Sequence, residues 1–414
     1  MDTTPRISRP PVVPGGLAAA GGWALHPQPQ QYMAGFGDAA FRRAATISNG
    51  HLIPRSLTLS FATPGTAVVA GVAADAYLHA LMLALRRTTE LFDEDREVMH
   101  VVLAQGLAEY LGLRNLGDLL DAVPRYLRTT ALPEVAVTIT PGSPLVPAQL
   151  VAAGCSRCIL VDDRGGAEPE FGSAWADAGF QLTEYRLDVG LSCADRPALA
   201  RIERALAWQP DQLRLPWPGP EPDGTAPAVA GGCAVAATLE RHGYVAGGAD
   251  TYVRHAAVPL RAVPPGARYC DLHGLLRAER TDLVGVGPGA ASQVGDVYCQ
   301  FGGDYPRWHA ALERGHLHVA RGLILSAWES MVAETLQSLA CDYALDTVAM
   351  ESRHGSLFLQ LRHAARLRLQ RVLDDGLAVW ERKTLRLTPR GKPLWRGVAD
   401  CFGSPDVAAP GLEM

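Results

Sequence analysis

Apolar and polar positions alternate in short runs separated by longer helical stripes. Leu57 to Phe61 alternates weakly, as a strand does, and a loop of small residues follows. From Ala76 to Phe92 the apolar residues fall at 77, 78, 81, 82, 85 and 92, a helical stripe that starts just after Asp75, a suitable N-cap. The pattern then predicts strands at 98–103, 134–140, 158–161, 182–189 and 212–215, with helices at 116–127, 147–154, 171–180 and 197–208. Strand-then-helix units at this spacing of about 25 to 40 residues predict an α/β protein with a largely parallel sheet. An incomplete (β/α) barrel and an open α/β sheet both fit.

Pro216 to Gly232 is rich in proline and glycine and reads as a loop or linker, and helical periodicity returns at 234–242. The last third changes character. Helices are predicted at 309–314, 328–341 and 357–373, then two short strands about Arg382-Lys383, with Thr388-Pro389 opening another helix. This is a winged-helix-like ending. The expected organisation is an arm over 1–45, a partial barrel over 46–300 and a mainly helical domain over 301–414.

Composition narrows the class without naming it. The 414 residues are 48% hydrophobic and 20% charged, with a net charge of −5, which argues against a protein coated in nucleic acid. Eight cysteines, at 155, 158, 193, 233, 270, 299, 341 and 401, form no disulfide framework, and a reduced, cytoplasmic setting is expected. The most apolar window, 67–85, is interrupted by Asp75 and His79, so no membrane span is predicted.

Candidate chemistry is sparse. Gly285 to Ser292, GVGPGAAS, matches a dinucleotide fingerprint, but Pro288 removes a backbone donor and the sequence beyond reads as extended. Cys155 and Cys158 form a C-x-x-C before a strand, without a second ligand pair. Cys270 and His273 lie close in sequence and could each serve a soft metal or haem iron. His316 and His318 show no metal spacing, and neither a G-x-S-x-G elbow nor a P-loop occurs. Between Arg353 and Arg396 eleven Lys or Arg stand against three acidic residues. That run is a solvated helix face, a winged helix contacting phosphates, or a lid for a ligand with several carboxylates.

Three linked stretches in the last third carry a family resemblance: TDLVGVGPGAASQVGDVYCQF, ARGLILSAWESMVAETLQSLACDYALD and VLDDGLAVWERKTLRLTPRGKPLWRGVADCF. They resemble the oxygen-independent coproporphyrinogen III oxidases, the HemN-type radical SAM proteins. Weaker matches upstream include FGDAAF, AGFQLTEYRLDVGLS and AWQPDQLRL. The resemblance implies an incomplete barrel with a largely helical C-terminal domain.

It also implies a [4Fe-4S] cluster on a C-x-x-x-C-x-x-C loop, with S-adenosylmethionine at the open iron. The cysteine places fall on Thr66, Ala70 and Ala73. The family's glycine-rich turn falls on Ala104, Gln105 and Gly106, its barrel glutamate near Thr138, its later aspartate near Arg186, and an aromatic hydroxyl on Ser60. Neither Ala nor Thr replaces a thiolate. The expectation is therefore a HemN-like pseudoenzyme of porphyrin or haem metabolism, without cluster, S-adenosylmethionine or other metal, that binds a tetrapyrrole or a haem-pathway protein. Arg366, Arg371, Lys383 and Arg386 are the expected contacts to an anionic ligand. One alternative is an active coproporphyrinogen III oxidase-like or other SAM-dependent enzyme whose cluster is held by noncanonical ligands such as Cys155, Cys158 and Cys270, with His273 a further metal candidate; another is a module binding nucleic acid or protein through the basic C-terminal segment.

Overall fold

The computed structural model describes residues 18–19, 22–23, 25–27, 31–65, 71–162, 174–175, 177–187, 196–215, 226–254, 268–276 and 280–403. The first βα units are β1 (Met33–Ala34), α1 (Gly37–Asn49), β2 (Leu57–Phe61), α2 (Ala74–Thr89), β3 (Glu97–Leu103), α3 (Leu107–Tyr126) and β4 (Arg128–Ile139). Next come α4 (Pro147–Ala152), β5 (Arg157–Asp162), β6 (Leu182–Leu187), α5 (Arg196–Ala207), β7 (Gln212–Arg214) and α6 (Ala226–Arg241). The sheet continues through β8 (Tyr244–Gly248), β9 (Thr251–Arg254), β10 (Asp282–Val286), β11 (Ala291–Val294) and β12 (Val297–Phe301), then α7 (Tyr305–Glu313) and β13 (Val319–Ile324).

These strands make one thirteen-stranded sheet in the order β8-β9-β7-β6-β5-β4-β3-β2-β10-β11-β12-β13-β1. From β7 to β10 every neighbour is parallel. Both flanks are antiparallel. Helices cover one face, where Leu57, Leu59, Phe61, Leu103, Val137, Ile139 and Leu160 pack against Tyr77, Leu81, Leu85, Leu116 and Leu119. Because side chains alternate along a strand, the intervening residues line the other, inner face of the partial barrel: Thr58, Ser60, His100, Val102, Glu134, Ala136, Thr138, Arg157, Ile159, Glu184, Arg186, Gln212 and Arg214.

The C-terminal elements are α8 (Ala327–Asp342), β14 (Ala344–Asp346), α9 (Thr347–His354), α10 (Ser356–Asp374), β15 (Ala378–Glu381), β16 (Thr384–Leu387) and α11 (Trp395–Gly403). Ser326 and Glu329 form a capping box that fixes where α8 begins. The β15–β16 hairpin turns at Arg382, which takes a left-handed φ of 59°, and β14 completes a small sheet. A second core, including Met331, Leu336, Phe358, Leu361, Leu385 and Trp395, holds this winged-helix-like unit together. It docks on the barrel edge at Asp250, which accepts from Trp395 Nε1 at 2.8 Å and pairs with Arg396. The approach at Gly248 is close enough that a Cβ there would lie 2.5 Å from the Cys341 carbonyl oxygen.

Several boundaries differ from the sequence pattern for physical reasons. Helix α3 starts at Leu107 rather than 116, because Gly112 (φ 73°, ψ 163°) kinks it and puts its two halves out of phase. Helix α6 begins at Ala226, inside the stretch read as a linker; residues 216–225 of that stretch lie outside the described residues. Most of the helix expected over 171–180 also lies outside them. The fingerprint-like Gly285–Ser292 joins two antiparallel strands, with no helix N-terminus to receive a phosphate. The sheet runs past position 300 to Ile324, and α1 begins inside the segment read as an arm. Among the described residues no helix is long and apolar enough to cross a membrane.

Candidate functional site

The inner face of the barrel carries a charged network built from strand positions two residues apart. Arg157 on β5 bridges Glu134 on β4 at 2.8 Å and Glu184 on β6, and Arg186 turns back to Glu184 at 2.6 Å. His100 Nδ1 on β3 lies 3.7 Å from Glu134. Burial alone would raise the carboxyl pKa values, yet Arg157 and His100 hold Glu134 far below the usual range. For Glu184 the burial penalty is likewise outweighed, by Arg186, Arg157 and Arg214, and its pKa falls to about 2.

A segment of the chain itself fills the space beside this network. Residues 269–276 cross the inner face, with Tyr269, Cys270, Leu275 and Leu276 buried. Asp271 Oδ1 accepts the N–H groups of His273 and Gly274 at 2.7 and 2.9 Å. The His273 carbonyl accepts from the Arg186 and Arg214 guanidiniums, the latter at 2.7 Å. A cavity of ≈ 20 Å³ remains, lined among others by His100, Glu134, Arg157, Arg186, Asp271 and His273. Burial, together with nearby arginines, lowers the pKa of His273 against the pull of Asp271, which favours the neutral ring. Asp271 Oδ2 and both ring nitrogens of His100 are buried with no hydrogen-bond partner among the described residues.

The residues singled out from the sequence fall in separate places. Ser60, Thr138 and Arg186 do share the inner face. Ala104, Gln105 and Gly106 sit at the carboxyl end of β3, where Gln105 O accepts from Thr63 Oγ1 at 2.6 Å and Gly106, with φ +80°, opens α3. Ala73 is the exposed N-cap of α2; Thr66 and Ala70 lie outside the described residues. Cys155 and Cys158 pack in the helix-covered core, on the side of the sheet away from Cys270 and His273, so these four do not converge. Burial pushes the Cys155 and Cys270 thiols up to about 12.

Glu134, Arg157, Glu184, Arg214, His100 and Asp271 had escaped sequence reasoning. Glu184 and Arg214 stand in L-T-E-Y-R-L and Q-L-R-L, where polar residues alternate with apolar ones at strand spacing, a pattern that a strand with one face in water shares.

A second concavity lies on the C-terminal unit. Helix α10 and the wing strand β15 enclose a surface hollow of ≈ 370 Å³ lined by Leu359, Arg362, His363, Arg366, Leu369, Gln370, Leu373 and Trp380. Trp380 is 42% exposed and Leu359 46%, so aromatic and aliphatic surface lies open beside two guanidiniums. Arg362 pairs with Glu351 at 2.7 Å. Of the four expected ligand contacts, only Arg366 lines this hollow. Arg371 stands in the last turn of α10, Lys383 on the wing turn, and Arg386 is paired with Glu381 at 2.8 Å.

Comparison with known proteins agrees with this architecture. No family model matches the sequence. An oxygen-independent coproporphyrinogen III oxidase of Salmonella typhimurium is 26% identical over 165 residues, 40% of this chain and 36% of that protein. The Pseudomonas aeruginosa protein of the same name is 31% identical over 152 residues, 36% of this chain and 33% of that protein. The matched segment thus spans about a third of the curated relatives' length. HemN from Escherichia coli, described as a radical SAM enzyme, superposes with a TM-score of 0.76 at 22% identity, covering 94% of this chain and 98% of that one. The fold is therefore that of HemN, an incomplete barrel of radical SAM type, and the matching curated relatives are oxygen-independent coproporphyrinogen III oxidases.

These relatives correct one expectation. A chain without [4Fe-4S] cluster and S-adenosylmethionine was expected from Thr66, Ala70 and Ala73, whereas a radical SAM neighbour points to both groups as those of the family. Among the described residues no group of three His, Cys, Asp or Glu is placed to hold a metal ion, and the described cysteines are free and buried. The described thiols do not form a cluster cradle.

Proposed function

We propose that this HemN-like chain serves porphyrin metabolism by binding a polycarboxylate tetrapyrrole of the coproporphyrin type in the hollow between α10 and the wing. The observation that carries the reading is the pairing of open apolar surface, Trp380 and Leu359, with Arg362, His363 and Arg366 in one concavity. A flat macrocycle stacks on an indole face, and its propionates suit planar guanidiniums. The similarity to coproporphyrinogen III oxidases supports the ligand class.

Titration with coproporphyrin III, followed by its Soret absorbance and by Trp quenching, tests this. A saturable change is expected, weakened about tenfold, or ~1.4 kcal/mol, by Trp380→Ala or Arg366→Ala. Absence of a saturable change, or affinity indifferent to both substitutions, removes the reading.

The names of the relatives favour a second reading, oxidation of coproporphyrinogen III by a cluster-bearing form. Anaerobic iron–sulfur reconstitution with an iron and sulfide count, followed by assay of S-adenosylmethionine cleavage, separates it from binding alone.

A further inference from the structure

Arg214 reaches into the barrel with no carboxylate within ion-pair distance among the described residues; its hydrogen bond goes to the backbone carbonyl of His273. Arg186 donates to the same carbonyl. Arg186 also pairs through Nε with Glu184, so it is Arg186 Nη2 and Arg214 Nη1 that converge on one neutral acceptor, although a carboxylate would offer two charged oxygens and the geometry that guanidinium pairs prefer. Nearby, Asp271 Oδ2 and the two His100 ring nitrogens are buried without a hydrogen bond among the described residues, so the closed arrangement leaves hydrogen-bonding groups unused.

The segment that supplies this carbonyl is held from behind by side chains of other elements. Gln337 on α8 receives the Cys270 N–H on Oε1 at 3.1 Å and donates from Nε2 to the Cys270 carbonyl at 2.8 Å. His26 Nε2 lies 2.7 Å from the same carbonyl. Gly274, at φ +141°, lies so close to Arg214 that a Cβ would stand 2.6 Å from Nη1.

We propose that residues 269–276 are an internal plug whose His273 carbonyl occupies a carboxylate-binding site formed by Arg186 and Arg214, and that a carboxylate ligand displaces it. The barrel then carries an anion site distinct from the hollow on α10, closed in the free protein by its own backbone. The clamp of Gln337 on Cys270 ties release of the plug to the C-terminal unit.

Cys270 lies within the plug and reports its position. The full chain is treated with iodoacetamide with and without succinate, and alkylation is followed for each cysteine by peptide mass analysis. Succinate is expected to accelerate Cys270 about tenfold while Cys299 and Cys401, buried elsewhere, stay slow. In Arg214→Gln the succinate dependence should vanish. If that variant does not fold, Gly274→Ala serves instead: by crowding Arg214 it should speed Cys270 labelling in the absence of succinate. The proposal fails if succinate leaves Cys270 as slow as Cys299, if all three thiols accelerate together, or if the dependence survives in Arg214→Gln. It fails equally if Gly274→Ala folds and leaves Cys270 protected.

Discussion

Replacing Arg157 by Met removes the cation that Glu134 and Glu184 share. The site is nearly dry: the Arg157 side chain is 7% exposed, Glu184 2% and Glu134 14%. Glu184 would keep Arg186, whereas Glu134 would lose its strongest charged partner, with His100 3.7 Å away. Breaking a buried pair by removing one partner costs roughly 3–5 kcal/mol, because the other charge stays buried. The Glu184 pKa gives a comparable scale. Its fall from 4.5 to about 2 corresponds to roughly 3 kcal/mol of stabilisation, shared among Arg186, Arg157 and Arg214.

The pH dependence follows from the depressed folded-state values. Stabilisation by both carboxylates is fully present above their unfolded pKa near 4.5 and is lost as pH falls toward about 2. In the variant, Glu134 loses its main partner, its pKa rises, and protonation relieves the buried charge in mild acid. The gap between wild type and Arg157→Met should therefore be about 3–5 kcal/mol at pH 7.5 and clearly smaller at pH 4.5. Urea unfolding at the two pH values, read by circular dichroism and Trp fluorescence, measures it. A gap below about 1 kcal/mol, or one that does not change with pH, would refute the reasoning.

Two other substitutions probe the frame. Gly285→Ala places a Cβ 2.5 Å from the Ala291 carbonyl oxygen, a backbone atom that cannot rotate away, so a lower thermal midpoint by several degrees is expected in scanning calorimetry. Asp250→Ala removes the acceptor for Trp395 and a charged partner of the Arg396 guanidinium, whose side chain is only 13% exposed. Limited proteolysis should then release the C-terminal unit sooner, and unchanged digestion would show that this contact does not hold it.

The βα frame was legible because its strands and helices each bury one face and so leave a period in the sequence. The wing hairpin was legible too, since short apolar runs flank Arg382-Lys383. The charged lumen was not. Thr-Glu-Tyr-Arg in β6 has the pattern of a strand with one face in water, and only the curvature of the sheet turns Glu184 and Arg186 inward. Cys270 and His273 could be singled out as chemically able residues, but spacing along the chain carries no information about Arg214, 59 residues from His273 and bonded to its carbonyl. Likewise Cys155 and Cys158 are neighbours in sequence that face the helices rather than the lumen.

The far edge of the sheet has a consequence for how the chain is built. Strand β1 pairs with Arg321 and Gly322, Phe36 lies under Gly322, and the Asp38 carboxylate accepts the N–H groups of Leu317 and Val319 across sequence separations of 279 and 281 residues. These contacts cannot form until β13 has left the ribosome, so the early segment waits, unsatisfied, through most of synthesis. Closing so long a loop is slow, and it places completion of the sheet at the end of folding rather than its beginning.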